Sequence, residues 1–72
     1  MIEKITIETP FIRLDSFLKL AGLVSTGGQA KVLICEGQVK VNGQVCLMRG
    51  KKLFGGEEVE FEGQKAVVVK GE

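Results

Sequence analysis

The side chains in this sequence with the clearest capacity for chemistry are cations. Arg49, Lys51 and Lys52 fall within four residues, in a segment interpreted as a connector between strands. Like charges set this closely repel one another unless a partner neutralises them. The other basic residues in the middle of the chain are Arg13, Lys19, Lys31 and Lys40. Together these side chains suit binding to a partner of high negative charge, such as a phosphate backbone.

The net charge of the whole chain, +1, hides an uneven distribution. Residues 13–52 carry seven basic and two acidic side chains, which gives that segment a charge of +5. Residues 53–72 carry five acidic and two basic side chains, which gives −3. A nearly neutral protein with a basic middle segment can attract a polyanion locally and still remain soluble.

A second candidate anion site is the stretch from Ser25 to Gln29, where a helix is predicted to begin. The N-terminus of a helix presents unpaired backbone N–H groups and the positive end of the helix dipole. Gly27 and Gly28 have no side chain to hold a phosphate away from that backbone, although each costs about 1 kcal/mol of helix propensity relative to alanine. Two alternatives stay open. The glycines could instead permit close packing of two helices, and Ser25, Thr26 and Gln29 could cap the helix.

Catalysis and metal binding have little support in the sequence. The chain has no histidine and only two cysteines, Cys35 and Cys46, which provide neither a Cys/His zinc set nor a disulfide framework. No serine or carboxylate pattern predicts a triad or a catalytic pair. Asp15 is interpreted as a carboxylate near a helix start, favoured by the dipole. We therefore expect no enzyme, no cofactor and no metal, with both thiols buried.

The chain length and the N-terminus favour a small domain without a targeting segment. The first ten residues, MIEKITIETP, contain no continuous apolar run and predict neither a signal peptide nor a membrane span. Residues 1–72 are expected to form a single domain near the lower size limit for one hydrophobic core. Free thiols and the missing signal lead us to expect a cytoplasmic protein with no membrane contact.

Two short helices are predicted to position these residues. The first, residues 14–21, has apolar side chains at i, i+3, i+4 and i+7 and ends at the following glycine. The second begins at Ser25 or Thr26; with Thr26 as N-cap, Gln29 falls at the position of a capping box. Gly37 ends this second helix.

A hydrophobic period of two predicts strands on both sides of the helices. Residues 2–7 alternate before them and residues 39–41 after them, where Asn42-Gly43 supplies the positive φ angles of a tight hairpin turn. Residues 57–62 alternate inward apolar and outward acidic side chains, and residues 66–69 form a last strand. The predicted fold is α+β, with two N-terminal helices packed on a small, mostly antiparallel sheet.

An ordered set of residues over about positions 12–61 resembles the S4 RNA-binding domain, or alpha-L motif. The set comprises Leu14-Asp15, Leu18, Gly22, Ser25, Gln29-Ala30, Ile34, Gly37, Val39, Val41-Asn42-Gly43, Lys51-Lys52 and Gly56-Glu57-Glu58-Val59. Within the family, residues 25–43 look most like the short stand-alone bacterial proteins. The resemblance implies an S4-like fold and binding of structured RNA through the second helix, the loop before it and the hairpin after it.

The resemblance and the basic segment together predict an RNA-binding site. Its candidate residues are Arg13, Lys19, Ser25, Thr26, Gly27, Gly28, Gln29, Lys31, Lys40, Arg49, Lys51 and Lys52. Many family members carry an arginine directly after the serine that opens the second helix, whereas Thr26 stands there in this chain. One cationic contact of the family is therefore missing.

The expected partner is ribosomal or transfer RNA, bound by a monomer with an association to the ribosome. The four phenylalanines, Phe11, Phe17, Phe54 and Phe61, are predicted to be core residues. Recognition is then expected through phosphates and shape, without stacked bases. The alternative is a protein–protein adaptor without direct nucleic-acid binding, in which the edge of the acidic strand at residues 57–62 binds a basic partner or the sheet forms a dimer.

Overall fold

Two strands, two helices and five further strands follow one another along residues 2–71, the part of the chain that the computed structural model describes. In chain order the elements are β1 (Ile2–Ile7), β2 (Ile12–Arg13), α1 (Leu14–Leu20), α2 (Gly27–Cys35), β3 (Val39–Val41), β4 (Gln44–Val45), β5 (Lys52–Leu53), β6 (Glu58–Phe61) and β7 (Gln64–Lys70). The α+β class is confirmed. Strands β1 and β2 precede the first helix, so the helices lie between strands and do not form an N-terminal pair.

Five strands form the main sheet, in the order β1-β7-β6-β3-β4. The β3–β4, β3–β6 and β6–β7 pairs are antiparallel, and β1 runs parallel to β7. Asn42 and Gly43 join β3 to β4 with φ angles of 53° and 84°, as predicted for a tight hairpin turn. Glu62 and Gly63 make a second such turn between β6 and β7, with φ angles of 52° and 76°.

The acidic strand β6 lies inside this sheet, between β7 and β3. Its inward residues Val59 and Phe61 are buried, as the alternation predicts. On the outer face, Glu60 lies opposite Lys40 of β3 and Lys65 of β7. Because both sides of β6 are paired, the expectation of a free acidic edge for a basic partner is wrong.

A short two-stranded ribbon, β2 with β5, is the second sheet. Ile12 pairs with Leu53 and Arg13 with Lys52, in antiparallel register. Leu53 is fully buried and Ile12 packs against the core, so their side of the ribbon faces inward. The segment predicted to be only a connector therefore enters this ribbon at Lys52.

Both helices use the core and capping residues that the sequence predicts. In α1 the side chains of Leu14, Phe17 and Leu18 are fully buried. In α2 the Thr26 hydroxyl accepts the N–H of Gln29 at 3.1 Å, while the Gln29 side-chain oxygen accepts the N–H of Ser25 at 2.9 Å. The reciprocal bond thus reaches one residue further back than in the standard capping box.

One hydrophobic core joins the helices, the inner face of the main sheet and the ribbon. Its buried members are Ile7, Leu14, Phe17, Leu18, Val24, Ala30, Ile34, Val39, Val41, Leu53, Val59, Phe61, Ala66 and Val68. Within residues 2–71 no buried side chain is polar or charged. Neither helix is long and apolar enough to cross a membrane.

Candidate nucleic-acid interface

The fold gathers four basic residues from two distant segments at the start of α1. We call Arg13, Arg49, Lys51 and Lys52 the basic cluster. The N–H of Leu14 donates to the carbonyl of Lys51 at 2.8 Å, and the N–H of Asp15 donates to the carbonyl of Arg49 at 3.1 Å. The β2–β5 ribbon adds the Arg13–Lys52 pair. Arg49, Lys51 and Lys52 are close together in the sequence. Arg13 joins them only because the ribbon forms.

Acidic side chains offset part of the charge of this cluster. The Arg13 guanidinium donates to Asp15 at 3.0 Å, and the second Asp15 oxygen accepts the N–H of Ser16 in the first turn of α1. Asp15 thus lies where a carboxylate favours the helix dipole, as predicted. The ion pair is partly buried, with 51% of the Arg13 side chain but only 16% of the Asp15 side chain accessible. It fixes the position of Arg13 while Arg49 and Lys52 stay exposed.

Glu57 organises the loop that follows the cluster. Its carboxylate accepts the N–H of Phe54 at 2.8 Å and the N–H of Gly55 at 2.7 Å. Partial burial alone would raise the pKa of Glu57, but these hydrogen bonds, its own N–H and the nearby Lys51 together lower that pKa below its ordinary value. The charged carboxylate therefore holds the loop between β5 and β6.

The first turn of α2 is open on its outer side. A Cβ atom at Gly27 would meet nothing within 4 Å, and one at Gly28 would meet only the Thr26 hydroxyl at 3.9 Å. The alternative that these glycines permit close helix–helix packing is therefore wrong. Gln29 and Thr26 do cap the helix, so their capping role is established. The N–H groups of the first turn have no acceptor within the helix itself.

The remaining candidate lysines lie on different surfaces. Lys19 is exposed in the last turn of α1, where a cation favours the helix dipole, and Lys31 is exposed on α2. Lys40 lies on the outer face of the main sheet, opposite Glu60. Since its neighbours Val39 and Val41 point into the core that the helices cover, Lys40 is on the opposite side of the sheet from α2.

Two aromatic residues predicted to be core lie on the surface. Phe11 is 37% exposed and Phe54 is 56% exposed, whereas Phe17 and Phe61 are buried as predicted. Phe11 comes directly before β2 and Phe54 directly after β5, so the ribbon brings them together. The expectation that the surface carries no aromatic platform is wrong. The sequence did not predict this exposure. Apolar residues can be recognised in a sequence, but the face of a two-residue strand on which they lie cannot.

The two free cysteines are not both buried. Cys35 is exposed and Cys46 is half-buried, so the prediction for Cys35 is wrong. Ile34 takes the inward position at the end of α2, and the next residue is turned about 100° away from it. Across residues 2–71 no group of three or more histidine, cysteine, aspartate or glutamate side chains is arranged to hold a metal ion.

Comparison with known proteins decides the family. The model of the S4 domain matches residues 5–69, nearly the whole chain. The chain belongs to the S4 domain family. The match includes both helices, the β3–β4 hairpin and the ribbon, and so covers the basic cluster and the start of α2.

Individual members of the family are similar over almost their full length. The probable ribosome maturation protein RlbA of Bacillus subtilis is 44% identical over 63 residues, covering 88% of this chain and 89% of the relative. The putative RNA-binding protein YbcJ of Escherichia coli is 43% identical over 60 residues, covering 83% and 86%. The solution structure of E. coli YbcJ, described as having an alpha-L motif involved in RNA binding, matches with a TM-score of 0.67, 38% identity and coverage of 94% and 85%.

Proposed function

We propose that this S4 protein binds structured RNA, and ribosomal RNA in particular, through phosphate and shape contacts. The contacts come from the basic cluster and from the open first turn of α2. The observation that carries the proposal is the assembly of Arg13 with Arg49, Lys51 and Lys52 at one place on the surface. A compact group of cations suits the closely spaced phosphates of a folded RNA.

The relatives support the same partner. One carries the name of an RNA-binding protein and another that of a probable ribosome maturation protein. The second name favours ribosomal RNA over transfer RNA as the partner of this chain. We expect this protein to act in the cytoplasm as a monomer, without catalysis.

Salt-dependent titration tests this proposal. With about four to six phosphates neutralised, log affinity for a ribosomal RNA fragment falls against log salt with a slope of roughly −3 to −5. Binding to duplex DNA of equal length is weaker, because the cluster and the helix start are matched to the shape of folded RNA. Absence of binding at micromolar protein in low salt, or binding that does not respond to salt, contradicts the proposal.

A protein–protein adaptor is the second candidate function. The edge strand β4 and the loop after it expose Val45, Leu47 and Met48, with more than half of each side chain accessible. Such apolar residues at a free sheet edge favour contact with another protein. The titration separates the two candidates, since an adaptor of this kind gives no salt-dependent RNA binding.

A further inference from the structure

The outward side of the β2–β5 ribbon combines aromatic and basic side chains. Ile12 and Leu53 face the core, so the residues that alternate with them lie on the other side. These are Phe11 and Arg13 on one strand, and Lys52 and Phe54 on the other. We call this surface the ribbon face. The ribbon face therefore carries two exposed phenylalanines and two cations.

The rings on the ribbon face are held in a defined arrangement. The Phe11 and Phe54 centroids are 6.1 Å apart with an interplanar angle of 54°. The Lys52 ammonium lies 4.9 Å from the Phe11 centroid, within range of a cation–π contact. The Glu57 carboxylate accepts one hydrogen bond from the Phe54 N–H and one from the Gly55 N–H. The Phe54 ring, on a residue that is 56% exposed, is thus carried by a backbone that hydrogen bonds hold in place.

We propose that the Phe54 ring stacks on an unpaired base of the bound RNA. Lys52 and Arg13 then contact the phosphates on either side of that base. Exposed aromatic rings beside cations are the arrangement with which proteins hold single-stranded nucleotides. The bases of a continuous duplex are stacked on each other and offer no free face, so the ribbon face selects loops, bulges or ends.

This inference rests on the proposed function and adds a base contact to it. Charge favours RNA over a protein as the occupant. Arg13 and Lys52 of the basic cluster lie on the same face as the rings. The Glu57 carboxylate next to Phe54 is occupied by backbone N–H groups, and the glutamates of β6 lie on the main sheet. Lys52 forms no ion pair within residues 2–71, so a hydrophobic protein partner would have to bury it without a matching charge, which is costly.

A single introduced tryptophan tests the stacking directly. The chain contains no tryptophan and no tyrosine, so Phe54→Trp gives a protein with one tryptophan that retains an aromatic face. On binding a ribosomal RNA hairpin, its fluorescence is expected to be quenched by the stacked base. A continuous duplex of the same stem sequence leaves it nearly unchanged. Equal fluorescence with and without the hairpin, at saturating RNA, overturns the inference.

Removal of the ring provides the complementary measurement. Phe54→Leu is expected to weaken binding to the hairpin by about tenfold, the usual worth of one stacked base, with little change for the duplex. Phe54→Trp restores hairpin affinity. Ile2→Ala is the matched control, because Ile2 is 51% exposed at the far end of β1 and its truncation removes apolar surface without touching the ribbon face.

The outcomes separate the two proposals. If the wild-type protein binds RNA with the expected salt slope while Phe54→Leu binds the hairpin equally well, the base contact is wrong and the RNA-binding proposal stands. If the wild-type protein binds no RNA, both are wrong. If Phe54→Leu melts at a much lower temperature than the wild-type protein, the fluorescence of Phe54→Trp alone decides whether the base contact exists, because Phe54→Trp keeps a large ring at this position.

Discussion

At the scale of single residues, the acidic side chain of Glu57 holds the loop next to the basic cluster. It comes from the negatively charged part of the sequence, yet it approaches Lys51 and accepts hydrogen bonds from Phe54 and Gly55. Gly55 has a φ angle of 142°, and a Cβ there would come within 3.3 Å of the Cβ of Lys70. The loop thus depends on one carboxylate and one position that favours glycine.

The lowered pKa of Glu57 predicts a pH-dependent contribution to stability. A carboxyl whose pKa is lower in the folded than in the unfolded protein stabilises the fold above the unfolded-state pKa, and this stabilisation is lost as the pH falls through the folded-state value. We expect Glu57→Gln to melt at a lower temperature than the wild-type protein at neutral pH. The difference should narrow as the pH is lowered through the acidic range. Thermal melting followed by circular dichroism measures both.

The control for this measurement is Glu3→Gln, which removes one exposed acidic charge from β1 without touching the loop. A Glu57→Gln protein whose melting temperature equals that of the wild-type protein at neutral pH contradicts the role assigned to this carboxylate.

At the scale of elements, the start of α2 caps the helix with one set of atoms and leaves another set open for the proposed phosphate contact. The Thr26 hydroxyl and the Gln29 side chain close the cap. Gly27 and Gly28 leave the first turn open to the outside. The nine-residue length of α2 and its buried Ala30 and Ile34 fix this turn relative to the core.

Gly28→Glu is expected to abolish most RNA binding in a protein that still folds. The structure has room for the new side chain, since only the Thr26 hydroxyl lies near it. A carboxylate in the first turn favours the dipole, and replacing glycine raises helix propensity, so stability holds or rises by up to about 1 kcal/mol. The same carboxylate repels and blocks a phosphate. Melting experiments and RNA titration on one preparation measure the two effects.

Gln64→Glu is the matched control, because it adds the same charge at the exposed first position of β7. It should leave RNA affinity within about twofold of the wild-type value, because Gln64 is not one of the proposed contact residues. Undiminished binding by Gly28→Glu removes the helix start from the proposed interface.

At the scale of the whole molecule, charge is separated between parts of the surface. The basic cluster lies at the start of α1, while β6 places its acidic residues inside the main sheet beside Lys40 and Lys65. The separation permits a net charge of only +1 to coexist with a locally positive surface. Affinity for RNA should therefore depend on where a charge is removed more than on how many are removed.

Removal of two cluster charges tests this dependence. Arg49→Gln with Lys51→Gln should lower RNA affinity and reduce the steepness of the salt slope by roughly 1.5 to 2, about one for each lost phosphate contact. Lys4→Gln with Lys65→Gln removes the same charge from β1 and β7, and its salt slope should match that of the wild-type protein. Identical slopes for both double variants contradict a localised binding site.

Much of this protein can be predicted from its sequence because the determining interactions are local. The apolar spacing in α1 and α2, the cap at Thr26 and the turn at Asn42-Gly43 each depend on residues within a few positions. The same holds for three members of the basic cluster, which are neighbours in the chain. Local spacing thus predicts the helices, the antiparallel hairpins and most of the candidate cations.

Only the tertiary structure decides which distant segments meet. The parallel pairing of β1 with β7 joins the two ends of the described chain, and the β2–β5 ribbon brings Arg13 to Lys52 and Phe11 to Phe54. Such contacts form because each segment buries its one apolar side against a shared core. The local sequence of a segment shows that it has such a side, but it does not show which other strand the segment pairs with. The proximity of the exposed Phe11 and Phe54 rings follows from the pairing of β2 with β5.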